Sequence, residues 1–303
     1  MDLAKPAGLI VNEILKLKEN ETLLIMRTAS QGRISQALQD EATKVGAAVF
    51  EMVFQSKKFI GTWGLGISRI FGEFDAVISL GFATNQGVDL NKARTRAVSM
   101  PSIDDELFAR AIDLDYNEMR KKAKKLKQVL EKAEKVHITS SSGTDLRLVV
   151  TNQKVKALDA AISANHRHVF LPEGEVAVVL NRKTANGVIV ADFLGELGKA
   201  KTRIHVKNGA VHEVEGDNEL AERLTKIQNA GVVSKFGIGL NKKTTLKSMI
   251  EAVTNNSTCN FVFGDNSQFS GRICSEVSLP CVVIKPDIMA DGKKIMAGGQ
   301  LLL

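Results

Sequence analysis

The amino-acid sequence predicts a mixed α/β fold, with a three-layer amino-terminal domain built on a parallel sheet and an α+β carboxyl-terminal domain. Two observations lead to this prediction. In the first third of the chain, continuous apolar segments alternate with an amphipathic helical segment, as in parallel sheets that helices cover on both faces. Beyond residue 135 the apolar segments become shorter and are separated by Gly and Asn, which is typical of strands joined by turns.

The amino-terminal domain is expected to span residues 1–101. A helix is predicted at Gly32–Val45, because apolar residues recur there every three or four positions and Gly46 follows as a terminator. Three continuous apolar runs predict the strands of the parallel sheet, at Glu21–Arg27, Ala47–Phe54 and Phe74–Leu80.

A helical connector is expected over residues 102–135. Ser102 and Asp105 have the spacing of a capping box, and the segment Asp115–Lys135 carries an apolar stripe surrounded by lysines. The carboxyl-terminal domain then covers residues 136–303. It is predicted to combine short strands with two helices, at Ala221–Ala230 and Thr244–Thr254.

Composition and charge narrow the classes of partner. The chain has 41 basic and 34 acidic residues, a net charge of +7, and much of the excess lies in Arg120–Lys135. We interpret this segment as a solvated helix face, and nucleic-acid binding is the alternative. With one Trp and one Tyr, few rings are available to stack on bases, so nucleic acid is not an expected partner. No apolar run reaches the ~20 residues that span a bilayer, and no signal peptide is recognisable, so a cytoplasmic protein without a membrane partner is expected.

Several short motifs follow one another between about residue 74 and about residue 295. None is specific alone, but the ordered set resembles the aminopeptidase T family of metallopeptidases. The resemblance implies an aminopeptidase-like hydrolase and a homo-oligomer, with a homodimer as the expected form. The segments that carry it are Phe74–Leu80, MPSIDDELFARAIDLDY, the Gly143-Thr144-Asp145-Leu146 turn, LPEGEVAVV, KFGIGLN, FVFGDN and the Asp291-Gly292 turn.

The same resemblance implies a site of two divalent metals, held by carboxylates and histidines of the carboxyl-terminal half. Glu175 stands where that family has a ligand Glu. Lys235 stands in place of a second Glu, and Asn260 in place of a His. Ser278 and Pro280 replace a His-x-Asp pair. Four of the five compared positions are therefore substituted, and no metal or other cofactor is expected.

Lys235 is predicted to replace the lost metal charge by forming an ion pair with Glu175. A buried carboxylate that loses its cation needs another donor or must bind a proton. Asn260 would complete the arrangement as a neutral hydrogen-bond partner. In the alternative, Lys235 points to solvent and Glu175 caps a turn.

A second candidate metal site combines His166 and His168 with Glu175. On a strand, an His-x-His pair directs both rings to one face, and two imidazoles with one carboxylate can bind a single metal ion. Zinc, cobalt or manganese would be the cofactor of such a site. The alternative is a polar strand next to a loop.

Two functional hypotheses follow. In the first, the chain is an aminopeptidase-like hydrolase with a rearranged metal site. In the second, it is a relative without metal-dependent peptidase chemistry that binds a small molecule, a peptide or a protein partner. The substituted ligand positions favour loss of the peptidase mechanism, because Lys adds positive charge and Pro offers no donor atom.

Overall fold

The computed structural model describes residues 1–55, 70–82, 94–180, 185–195 and 198–303. The chain forms two compact units. Unit 1 contains Met1–Asp115 and Ala160–Glu173, and unit 2 contains Tyr116–Asp159 and Gly174–Leu303. Residues 160–173, which the sequence pattern places in the carboxyl-terminal domain, thus belong to unit 1. Their strand pairs with a distant strand of that unit, and local periodicity carries no information about such a pairing.

Unit 1 is organised around a parallel sheet. In the described part of the chain this sheet has five strands, in the order β2-β1-β3-β4-β8. The strands are β1 (Thr22–Thr28), β2 (Ala48–Phe54), β3 (Ala76–Leu80), β4 (Arg96–Met100) and β8 (His168–Phe170). The predicted mixed α/β fold class, with its parallel sheet in the amino-terminal part, is confirmed.

Three α-helices of unit 1 are described, and they bury apolar residues at helical spacing. The second buries Ile34, Leu38 and Ala42, as its sequence pattern predicts. The third is capped by Asp104, and not by the predicted Ser102, because the Asp104 carboxylate accepts a hydrogen bond from the Leu107 N–H. The helices are α1 (Ala4–Gly8), α2 (Gly32–Lys44) and α3 (Asp105–Ala111), and a π-helical turn at Leu9–Ile14 continues α1.

Unit 2 contains a large antiparallel sheet. Its order over the described residues is β18-β17-β16-β5-β6-β10-β15-β14-β13-β9-β7, and in addition β11 pairs with β10 and β12 pairs with β11. The strands before residue 195 are β5 (Lys135–Thr139), β6 (Asp145–Val149), β7 (Lys154–Leu158), β9 (Glu175–Val179) and β10 (Ala185–Leu194). The later strands are β11 (Gly198–Lys207), β12 (Ala210–Val214), β13 (Val233–Gly239), β14 (Thr258–Gly264), β15 (Ser278–Ile284), β16 (Asp287–Ala290), β17 (Lys293–Ala297) and β18 (Gln300–Leu301).

Helices pack on this sheet through apolar stripes. The longest, α4, covers Tyr116–Lys132 and buries Met119, Ala123, Leu126 and Leu130. The other two are α5 (Asn218–Lys226) and α6 (Met249–Thr254). Among the described helices, none is long and apolar enough to cross a membrane.

Candidate functional site

Three neighbouring strands of the unit 2 sheet carry the candidate site. Strand β13 lies between β9 and β14, and all residues of the three strands are buried. Glu175 on β9 is opposite Gly239 of β13, and Asn260 on β14 is opposite Gly237. Lys235 lies two residues before Gly237 on the same strand. Because side chains alternate between the faces of a strand, the three polar side chains lie on one face of the sheet.

The polar groups form a closed network of charge and hydrogen bonds. Lys235 Nζ lies 2.5 Å from Glu175 Oε1, and the two side chains are only 2% and 4% exposed. Lys235 Nζ also donates a hydrogen bond of 2.9 Å to Asn260 Oδ1. Asn260 Nδ2 donates to Glu175 Oε1 at 2.9 Å and to the Val253 carbonyl at 3.1 Å. The amide of Asn260 therefore satisfies the cation with its oxygen and the anion with its nitrogen.

An aromatic ring completes the surroundings of the ammonium group. Lys235 Nζ lies 4.7 Å from the centre of the Phe269 ring. The negative face of an aromatic ring attracts a cation at this distance. Carboxylate, amide oxygen and ring together form a site whose chemistry suits a single positive charge.

Gly237 provides the space through which Glu175 reaches Lys235. A Cβ atom at position 237 would lie 1.7 Å from Glu175 Oε1 and 2.9 Å from Asn260 Oδ1. Any side chain at this position would displace the carboxylate. The glycine is thus a requirement of the network, although its place in an apolar strand gives no sign of this role.

The predicted ion pair between Lys235 and Glu175 is confirmed, and the alternative in which Lys235 faces solvent is wrong. Ser278 and Pro280 make no contribution to the network. Ser278 is exposed and its hydroxyl donates to the Asp265 carbonyl at 3.3 Å, and Pro280 lies opposite Val262 at the β14–β15 pairing. The structure therefore brings together three of the five positions compared in the sequence.

These residues do not fit the divalent metals that the resemblance implies. Glu175 supplies the only carboxylate of the network described here, and a lysine ammonium lies where a metal would have to approach it. An ammonium group has no lone pair to donate and repels a second cation. Over the described ranges, moreover, no group of three or more His, Cys, Asp and Glu side chains is placed to hold a metal ion.

The second candidate metal site, His166 and His168 with Glu175, is not such a group either. His168 Nε2 is 2.8 Å from the hydroxyl of Ser99, which lies 2.9 Å from the hydroxyl of Ser79. Burial, followed by the neighbouring charge of His166, lowers the pKa of His168 to about 4. His168 is therefore a neutral, hydrogen-bonded residue of the unit 1 sheet at ordinary pH.

The Ser79–Ser99–His168 chain was not foreseen from the sequence. It forms because β8 pairs in parallel with β4, so that residues about 70 positions apart become neighbours. Glu173, close to the His pair in sequence, accepts a hydrogen bond from the Ala160 N–H. Cys281, interpreted from the sequence as a small buried hydrophobe, is fully buried, and burial raises the pKa of its thiol.

Two solved proteins have a similar fold over nearly the whole of this chain. The dioxygenase described as "2,5-dihydroxypridine Dioxygenase from Pseudomonas putida KT2440" matches with a TM-score of 0.80 at 17% identity, over 99% of this chain and 96% of that one. AmpT from Thermus thermophilus matches with a TM-score of 0.68 at 16% identity, over 99% of both chains. At these identities the similarity shows the fold alone.

Comparison of the sequence with protein families identifies the family. No curated protein gives a significant match. The family described as NicX, 2,5-dihydroxypyridine 5,6-dioxygenase, matches residues 73–302. The resemblance to aminopeptidase T thus holds for the fold, and the family assignment is corrected by this match. Because it covers about three quarters of the sequence, the chain belongs to the NicX family.

Proposed function

We propose that this protein is a NicX-family member that binds a small hydroxylated heteroaromatic molecule and has no metal centre at Glu175. Under this proposal, a metal bound at Glu175 catalyses neither ring-opening oxygenation nor aminopeptidase hydrolysis. The observation that carries the proposal is the ammonium group of Lys235, buried 2.5 Å from Glu175 Oε1. The class of ligand is taken from the description of the family.

The contacts of Glu175 support the Lys235 ammonium as its permanent counter-charge. Glu175 Oε1 already receives both Lys235 Nζ and the Asn260 amide. A divalent ion would have to displace these two donors and would approach a positive charge at short range in a buried site. Removing the proton from Lys235 would relieve the repulsion but would still leave a single protein carboxylate to bind the metal.

The activity in the family description is the second candidate, and the match over residues 73–302 favours it. Proteins generally carry out O₂ chemistry with haem, flavin, copper or non-haem iron, and the last is often held by two His and one carboxylate. Such a trio is not found within the described ranges. The aminopeptidase alternative has less support, because it rests on fold similarity at 16% identity.

The deciding experiment measures metal, ligand and turnover on one preparation. The protein is purified without chelator, and its iron, zinc, cobalt and manganese are counted by elemental analysis, before and after incubation with each metal under anaerobic conditions. Binding of 2,5-dihydroxypyridine and related hydroxypyridines is followed by calorimetry, O₂ uptake with an electrode, and release of amino acids from small peptides by chromatography.

We expect less than one tightly bound metal per chain, heat from hydroxypyridine binding, and neither O₂ uptake nor amino-acid release. Stoichiometric metal with chelator-sensitive O₂ uptake would establish the dioxygenase candidate. Stoichiometric metal with chelator-sensitive peptide hydrolysis would establish the aminopeptidase alternative. A metal-free protein that binds no hydroxypyridine would refute the ligand class while leaving the internal cation in place.

A further inference from the structure

The outer face of α4 is a strongly basic surface of unit 2. The helix contains seven basic and two acidic residues within Tyr116–Lys132. Its apolar stripe is buried, so the charged side chains project away from the core of the unit. This concentration of charge plays no part in the function proposed above.

Lysines on the sides of this helix form ion pairs with its glutamates, whereas the lysines that point furthest from the core do not. On the flanks, Lys122 Nζ lies 2.8 Å from Glu118, and Lys127 Nζ lies 3.6 Å from Glu131. Glu118 also contacts Lys242 Nζ at 2.5 Å. Both carboxylates of the helix are thus already paired, and neither neutralises the outermost lysines.

With 3.6 residues per turn, the side chains opposite the buried stripe are Lys121, Lys125 and Lys132, with Lys124 beside them. We call these four residues the lysine crest. All four are exposed, and within the described residues none makes an ion pair or a side-chain hydrogen bond. The solvated helix face expected from the sequence is thus balanced by ion pairs on the flanks, whereas the crest is solvated but carries unbalanced positive charge.

We propose that the lysine crest binds the phosphate backbone of double-stranded nucleic acid without reading its sequence. Lys121 and Lys132 are separated by three turns of α4, or about 16 Å at a rise of about 1.5 Å per residue. A duplex presents roughly one phosphate charge per 1.7 Å of its axis, about ten over that length. Each crest lysine can therefore meet a phosphate.

The composition of the crest distinguishes this partner from a membrane. Helices that bind a membrane surface insert an exposed apolar face between the lipids, whereas the apolar face of α4 is buried in unit 2. The crest also carries no aromatic side chain to stack on unpaired bases. The remaining chemistry is attraction between lysines and phosphates, which does not depend on base sequence.

The test measures binding of the full chain to duplex DNA and duplex RNA of mixed sequence as a function of salt. Four lysine–phosphate contacts predict a slope of about −3.6 in log K against log [salt], or about 150-fold weaker binding at 200 mM than at 50 mM salt. The variant K121Q/K124Q/K125Q/K132Q should lose most of this slope and bind at least about tenfold more weakly at 50 mM salt.

The matched control is K207Q/K226Q/K285Q/K293Q, which removes four exposed lysines elsewhere in unit 2 and lowers the net charge equally. It should retain the slope and most of the affinity. Equal weakening of both variants would show that net charge alone governs binding and would overturn the proposal. So would absence of duplex binding at 50 mM salt, or binding to phosphatidylserine vesicles that exceeds binding to either duplex.

Discussion

Replacing Lys235 by methionine is expected to destabilise unit 2 by about 3–5 kcal/mol. The substitution keeps much of the side-chain volume and removes the charge. Glu175 would then remain 4% exposed without its ammonium partner, and Asn260 Oδ1 would lose a donor. An uncompensated charge in such a position is the reason for the large expected effect.

The same reasoning predicts a strong dependence between the two partners. Glu175→Gln alone should also cost about 3–5 kcal/mol, because it leaves the Lys235 ammonium buried without a carboxylate. The double variant E175Q/K235M contains no unpaired charge. Its loss of stability should therefore fall below the sum of the single losses by at least about 2 kcal/mol.

The free energies of unfolding are measured by urea denaturation at pH 7, followed by circular dichroism. The matched control is the pair Lys226–Glu222, whose atoms lie 3.1 Å apart on side chains that are 70% and 65% exposed. Lys226→Met should change the stability by no more than about 0.5 kcal/mol. If a single variant at the buried pair does not fold, recovery of folding in E175Q/K235M gives the same answer.

Strictly additive losses in the Lys235–Glu175 cycle would refute the reasoning. Additivity would mean that each side chain contributes through packing alone, and that the short distance between them reflects no energetic coupling. A loss below about 1 kcal/mol for K235M would be equally damaging, because a buried carboxylate cannot lose its cation without consequence.

Three further predictions concern other parts of the molecule. Burial lowers the pKa of His168 from about 6.5 to about 4. The stability that depends on its neutral form is therefore complete above pH 6.5 and declines toward pH 4, by up to about 3 kcal/mol. The variant H168Q should flatten the measured curve of stability against pH over that range. Gly237→Ala should destabilise by about 1–3 kcal/mol by displacing Glu175, whereas Gly32→Ala, whose new Cβ has no atom closer than 3.9 Å, should be neutral or stabilising in the same denaturation assay. Lys235→Glu should lower the melting temperature in the presence of chelator and recover it with millimolar Mn²⁺ or Zn²⁺, and a melting temperature indifferent to both would contradict the electrostatic account.

In unit 1, local sequence patterns predict the helices and strands that consist of one continuous apolar or amphipathic segment. Strands β1, β2 and β3 and helix α2 lie within about two residues of their predicted positions. Strand β4 (Arg96–Met100) has no continuous apolar run, because its five residues include Arg and Ser, and strand β8 has only three residues. Both are defined by pairing with distant strands, which no local periodicity reveals.

The candidate site divides in the same way. The charge of Lys235 and the burial of Glu175 could be inferred from residue types and from the resemblance, so their pairing was predictable. The roles of Gly237 and Phe269 depend on strand register and on the path of the loop after β14. A glycine in an apolar strand indicates a close approach of some other group but does not identify that group.

Membership of a family and retention of its chemistry depend on different features of unit 2. The antiparallel pairing of β9, β13 and β14 is made by backbone groups, so it places positions 175, 235 and 260 together whatever side chains they carry. The side chains at these positions must together neutralise the charge of Glu175, because that carboxylate is buried. An exchangeable metal stabilises a protein by an amount that grows with the logarithm of its concentration relative to its dissociation constant, whereas a tethered ammonium is always present. A single Lys at position 235 can therefore neutralise Glu175 without any exchangeable ion.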